Sequence, residues 1–176
     1  MMAANDVGDV KESAMHQPLL SPDEPLVTVW AGVSGQYRTS LHFVNGTVTS
    51  PYYLNNVINP VIVPLHEQHR PSFIFMEDNA PAHQGHIIRE GLLETGIPQM
   101  EWPALSPDLN PIENLWDQLS RRVEARNSAP QNLNDLRAAL QEEWDAMPQQ
   151  TISPLVNNMR HRCQAVIDAQ GHMMSY

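Results

Sequence analysis

The order in which apolar patterns follow one another constrains this chain most. Short strand-like runs come first, and helical patterns take over later. Leu26 to Val33 (LVTVWAGV) reads as a strand, and Ser40 to Val44 (SLHFV) reads as its antiparallel partner, with a turn near Gly35 between them. Ser72 to Met76 is a short apolar run of the buried-strand kind, and Ile97 to Glu101 suggests another. Tyr52 to Glu67 carries Tyr53, Val57, Val61 and Leu65 at a spacing of four, which is a helical face interrupted by Pro60 and Pro64. His86 to Thr95 has helical spacing and a stop at Gly96. Pro111 to Ala125 predicts a helix with Ile112, Leu115, Trp116, Leu119 and Val123 on one face. Two more helices are predicted, over Leu133 to Met147 and over Pro154 to Ala169, the latter with Leu155, Met159, Cys163, Val166 and Ile167 inward. Strands mixed with helices, then helices alone, predict an α/β class with a mixed sheet and a helical C-terminal layer.

Two carboxylates stand in distinctive settings. Asp78 ends the run FIFMEDNAPAH, and Glu113 opens the helix in WPALSPDLNPIENLW. In open α/β sheets, ligands collect beyond the carboxyl ends of strands, so an acid after Met76 is placed to reach a metal there. Two acids from separate elements suit a divalent ion that handles phosphate. Each has a plainer reading. Asp78 could form a turn before Pro81. Glu113 follows Asn110 by three residues with Pro111 in the first helical position, the arrangement of a capping box. Both readings stay open on the residues alone.

His83 and His86 follow Asp78 closely. Zinc is a poor reading, because the chain has one cysteine and no compact set of ligands. His83 is a candidate for lining a phosphate site. Arg121 and Arg122, two turns beyond Glu113, are the best candidates for phosphate contact. Trp102, Trp116 and Trp144 are read as core residues.

Charge sets a further bound. Twenty acidic against ten basic residues give −10, which argues against tight binding of nucleic acid by charge alone. The basic residues are one lysine, Lys11, and nine arginines gathered mainly towards the C-terminal third. A lone cysteine excludes an internal disulfide. No run of eighteen apolar residues predicts a membrane span, and no secretory signal is visible. Residues 1–25 show no period and read as a poorly ordered segment, leaving 26–176 as one domain.

Four strings together, VTVWAGVSG, FIFMEDNAPAHQ, EWPALSPDLNPIENLWDQLSRRV and RHRCQAVIDAQG, resemble the catalytic domain of mariner-type DNA transposases over Leu26 to Tyr176. The resemblance implies a ribonuclease-H-like fold and metal-dependent DNA cleavage and strand transfer. It implies Asp78 and Glu113 as the second and third catalytic, metal-ligating acids, and Mg²⁺ (or Mn²⁺ in its place) as cofactor. It further implies transposon-end DNA as partner, a homo-oligomer and a nuclear location. In such proteins a first Asp sits on a strand upstream of the VTVWAGVSG segment, after helix-turn-helix modules. Neither is recognisable here. Asp6, Asp9, Asp23 and Glu24 lie in no apolar strand pattern. The resemblance thus predicts a sheet without its first, central strand and an impaired activity, with an inactive remnant or a domesticated interaction domain as the alternative.

Overall fold

A computed structural model of the 176-residue chain describes residues 9–17, 27–77, 80–100 and 109–168. Four strands form one mixed sheet in the order β3-β2-β1-β4. They are β1 (Asp9–Gln17), β2 (Val27–Val33), β3 (His42–Val44) and β4 (Ile74–Met76). β2 pairs antiparallel with β1 and with β3, whereas β1 runs parallel to β4. Gln99 adds a single parallel bridge to Phe75 at the outer edge, where the Phe75 amide donates to the Pro98 carbonyl and the Met100 amide to the Phe75 carbonyl, both at 2.8 Å.

β1 corrects the expectation of a sheet lacking its central strand. Residues of the N-terminal segment fill that place, between β2 and β4. The segment carries no apolar alternation to announce itself. Its position comes from ladder hydrogen bonds to strands on both sides, a tertiary effect that outweighs local pattern. The remainder of residues 1–26 lies outside the described residues.

Helices cover both faces. On one lie α1 (Ser50–Tyr53), a π-helical stretch (Leu54–Ile62), α2 (Val63–His69) and α3 (His86–Glu94). Tyr53, Val57, Ile58, Ile62, Ile88 and Leu92 pack there against Trp30, Phe73 and Phe75. The helical face predicted across Tyr52 to Glu67 thus forms despite its prolines. It does so by widening, with the Val63 amide bonded to the Ile58 carbonyl, around Pro60, which has no amide to donate. α3 ends where the sequence predicts, with Gly96 at φ 67°. Gly91 lets α3 approach closely, since a Cβ there would come within 2.8 Å of Leu54.

On the other face lie α4 (Pro111–Glu124), α5 (Leu133–Ala146) and α6 (Gln149–Asn157). Val27, Val29, Ala31 and Val33 pack against Ile112, Leu115, Trp116, Leu119, Leu140 and Trp144. Trp116 and Trp144 stack at 5.5 Å between ring centroids, buried as predicted, while Trp102 lies outside the described residues. The last predicted helix is two, α6 and α7 (Met159–Asp168). Cys163 and Ile167, predicted inward, are exposed, because the chain bends at Asn158 and redirects the face of α7. No helix among the described residues is long and apolar enough to cross a membrane.

Candidate catalytic face of the sheet

Glu113 sits where its local sequence puts it. Asn110 is the N-cap, its side-chain oxygen accepting from the Ile112 amide at 3.4 Å, and Pro111 occupies the first helical turn. Asn110, Pro111 and Ile112 are buried, so the start of α4 is fixed by packing as well as by its cap. Glu113 is half-buried in the first turn, where the helix dipole favours a carboxylate.

β4 ends as predicted just before the acid pair Glu77-Asp78. Asp78 itself lies outside the described residues. Its neighbour Glu77, which the sequence reading passed over, is 8% exposed. The Tyr53 hydroxyl donates to its Oε2 at 3.3 Å and the Gln99 amide to its Oε1 at 3.1 Å. Glu77 therefore ties the end of β4 to α1 and to the edge segment. The acid next to Asp78 in MED was the signal that could have found it.

His83 is 2% exposed and packs on Tyr53, with ring centroids 4.3 Å apart. It lies in the turn after Ala80, its amide bonded to the Ala80 carbonyl at 2.9 Å. That position is interior to the Tyr53–Glu77 group. His86, at the start of α3, is exposed and pairs with Glu90 at 3.0 Å. Arg121 is exposed and pairs with Asp117 one turn back. Arg122 reaches Glu143 at 3.5 Å, and Arg126 holds Glu142 at 2.6 Å and Glu143 at 3.0 Å. Those hydrogen bonds with Glu142 and Glu143 raise the Arg126 pKa further. The arginine candidates thus share one end of α4 with acidic partners. Helical rise puts Arg121 about 12 Å along the axis from Glu113.

The register of β1 decides what the central strand offers. Directly paired residues of neighbouring strands share a face. Lys11, Ser13, Met15 and Gln17 pair with Val33, Ala31, Val29 and Val27, all of the face that α4 covers. Val10 pairs with Phe75 and Ala14 with Trp30, on the opposite face. Glu12, paired with Gly32, belongs to that opposite set by alternation. α4 is in contact with β1. The position that lies between Val33 and the last residue of β4, Met76, on the α4 face, is Lys11.

Residues 27–137 match the family model described as DDE superfamily endonuclease. The chain belongs to this family. Among curated proteins it is 33% identical over 150 residues to the transposable element Tcb2 transposase of Caenorhabditis briggsae, covering 85% of this chain and 54% of that protein. It is 32% identical to the Tc3 transposase of Caenorhabditis elegans, over 85% of this chain and 46% of that protein. The chain thus spans about half the length of these relatives. It is 25% identical to human histone-lysine N-methyltransferase SETMAR, over 93% of this chain and 25% of that protein. Its fold is that of the Mos1 mariner transposase catalytic domain, with a TM-score of 0.80 at 17% identity, covering 97% of this chain and 86% of the other. The Mos1 mariner paired end complex with Mn gives 0.79 at 16% identity, over 96% of this chain and 57% of the other. The resemblance to mariner-type transposases and the ribonuclease-H-like class are therefore upheld, and divalent metal accompanies the fold in a structural neighbour.

Proposed function

We propose that this chain is a transposase catalytic domain that retains DNA handling while its cleavage and strand-transfer chemistry is impaired. What supports this reading is a complete sheet with α4 and Glu113 in place, in a sequence with no acid inside an apolar strand pattern ahead of Val27. Asp78 and Glu113 are the acids that would hold a divalent ion in this reading, Glu113 in the first turn of α4 and Asp78 outside the described residues. A hard dication needs several oxygen ligands to offset the loss of its water. Among the described residues, no group of three or more His, Cys, Asp or Glu could hold a metal. Glu113 is the one predicted metal-ligating acid they contain, since Asp78 lies outside them.

What remains is binding. Arg121 is exposed enough to meet a phosphate, and Arg122 would first have to release Glu143. A chain of charge −10 gains little from long-range attraction to DNA, so binding is weak and sensitive to salt. A nuclear location is part of this proposal, since DNA is the partner it takes. Self-association, which the resemblance implies, draws no support from a gap in the sheet, since β1 fills it. It is tested by sedimentation at several concentrations.

Fluorescence anisotropy with a labelled duplex, run beside a nicking assay in Mn²⁺, tests the reading. The expectation is a Kd of about 10⁻⁵ M near physiological salt, tightening as salt falls, with no nicking. Absence of binding at low salt would remove the DNA role. It would favour a domesticated protein-interaction domain, the reading suggested by the matching segment within a protein named for methyltransferase activity. Nicking that Asp78→Ala abolishes would instead restore full family chemistry.

A further inference from the structure

A cavity of about 310 Å³ lies where the end of α2, the start of β4 and the turn after α3 come together. It is separate from the candidate catalytic face, because Phe73 precedes β4 while Glu77 follows it. Pro71, Phe73 and Pro98 give it apolar walls, and His66 and Arg70, one helical turn apart, bring nitrogen to it. His66 is 6% exposed and lies against Phe73, with ring centroids 5.5 Å apart. Its Nδ1 is buried and has no hydrogen-bond partner. A buried polar atom left unpaired is costly, and such an atom in a folded chain calls for an explanation. Arg70 is exposed, and no carboxylate is paired with it among the described residues. Burial holds the His66 pKa below its ordinary value and the Arg70 charge acts the same way, with Glu67 opposing them, so the guanidinium is close enough to be felt by the ring.

We propose that this cavity binds a small organic carboxylate with an apolar body, its oxygens held by Arg70 and His66. Each part of that ligand answers a feature of the walls. The planar guanidinium matches a carboxylate and can hold both of its oxygens. With its proton on Nδ1, the imidazole donates to an oxygen seated beside it, which gives that nitrogen the partner it lacks. Phe73 and the two prolines cover an apolar ring and keep water from it. One fixed positive charge suits a monoanion, whereas a phosphate dianion in a chain of net charge −10 would want more. The end of a helix ordinarily disfavours an anion. Here the last carbonyls of α3 have partners of their own. The Thr95 hydroxyl donates to those of Gly91 and Leu92 at 2.9 and 3.1 Å, and the Gly96 amide to that of Leu93 at 3.1 Å. Arg70 offsets the end of α2. Gly96 leaves room, since a Cβ there would meet nothing within 4 Å. The volume is at the small end for ligand cavities, which suits one substituted ring. The same chemistry comes from a free acid or from the terminal carboxylate of a peptide that ends in an apolar residue.

Titration calorimetry of the full chain with benzoate, N-acetylphenylalanine and benzyl alcohol tests the proposal. Benzoate should bind one-to-one with a Kd of about 10⁻³ M, as a ligand of that size permits. Benzyl alcohol keeps the ring without the charge and should bind at least about tenfold more weakly. Equal binding of the alcohol would overturn the carboxylate assignment, and failure of both acids to bind would overturn the site. Either order of the two acids supports the site, and the order names the source: tighter N-acetylphenylalanine points to a peptide terminus, tighter benzoate to a free acid. Arg70→Gln changes an exposed side chain and should weaken benzoate by about tenfold or more. Unchanged affinity in that variant would overturn the proposal. His66→Phe keeps a ring and removes both nitrogens. It should weaken benzoate by about tenfold while its melting temperature holds or rises, because the unpaired buried nitrogen goes with it. A histidine that serves only to hold α2 would give the opposite pair of results, a lower melting temperature with unchanged affinity, and that would overturn its assigned role. If His66→Phe does not fold, Arg70→Gln decides. None of these results depends on whether the chain binds DNA, so this inference and the reading above it fail separately.

Discussion

α4 and β1 meet in the core, yet they owe their places to different things. α4 carries its own instructions: Asn110 caps it, Pro111 starts it, and Ile112, Leu115, Trp116, Leu119 and Val123 make a buried stripe at helical spacing. β1 carries almost none. DVKESAMHQ has a charged or polar residue at most positions and no apolar alternation on either face. It is a strand because β2 and β4 present unpaired backbone groups on either side, which would be costly to leave buried and unbonded. A helix rich in local signals tolerates the loss of one. A strand held by its neighbours does not tolerate loss of its backbone donors.

That contrast breaks most visibly at the backbone. Ser13→Pro removes a ladder donor from the middle of a central strand paired with β2, and should cost about 3 kcal/mol or more. For a domain of ordinary stability the expected result in a urea melt is loss of much or all of the cooperative transition. Survival of a wild-type midpoint would mean that β1 is not central.

On the α4 side, Leu115→Ala deletes a fully buried side chain facing the sheet, and should lower unfolding free energy by about 2–5 kcal/mol in the same melt, with the transition still cooperative. Asn110→Ala removes the cap alone and should cost about 1 kcal/mol. If Asn110→Ala were to cost as much as Ser13→Pro, the claim that α4 is held by many modest signals would fall.

The sequence made the hairpin of β2 and β3, β4, α3 with its stop at Gly96, and the start of α4 legible. In each, a local pattern and the final packing agree, as with Trp116 and Trp144 in the core. β1 was not legible, because pairing on both sides is a property of the folded sheet and leaves no trace in DVKESAMHQ. The split of the last helix at Asn158 was missed because Leu155, Met159, Cys163 and Ile167 keep a helical spacing across the bend. At the site, the cap and first turn that hold Glu113 were readable. The burial of His83 against Tyr53 and the anchoring of Glu77 were not, since both depend on where α1 packs.

A smaller effect concerns pH. Burial holds the His66 pKa below its ordinary value of 6.5, with the nearby Arg70 charge acting the same way. The folded state thus binds this proton less readily than the unfolded chain. Stability from this group is complete above about pH 6.5 and declines as pH falls from there towards the lower folded pKa. Burial shifts His42 in the same direction. Melting temperatures across pH 7.5 to 5 should fall, and His66→Gln should flatten the slope. Smallest of all for stability is Arg121→Ala, within about 0.5 kcal/mol because its ion pair is exposed. Its effect should show instead as a salt slope for DNA binding reduced by about one.

The placement of β1 between β2 and β4 underlies both the completed sheet and the position of Lys11. Hydrogen–deuterium exchange of the backbone amides tests it most directly. With β1 in place, amides within residues 10–17 should exchange as slowly as those of β2, through global opening. Exchange of residues 10–17 at the rate of an unstructured peptide, while β2 and α4 stay protected, would contradict the account.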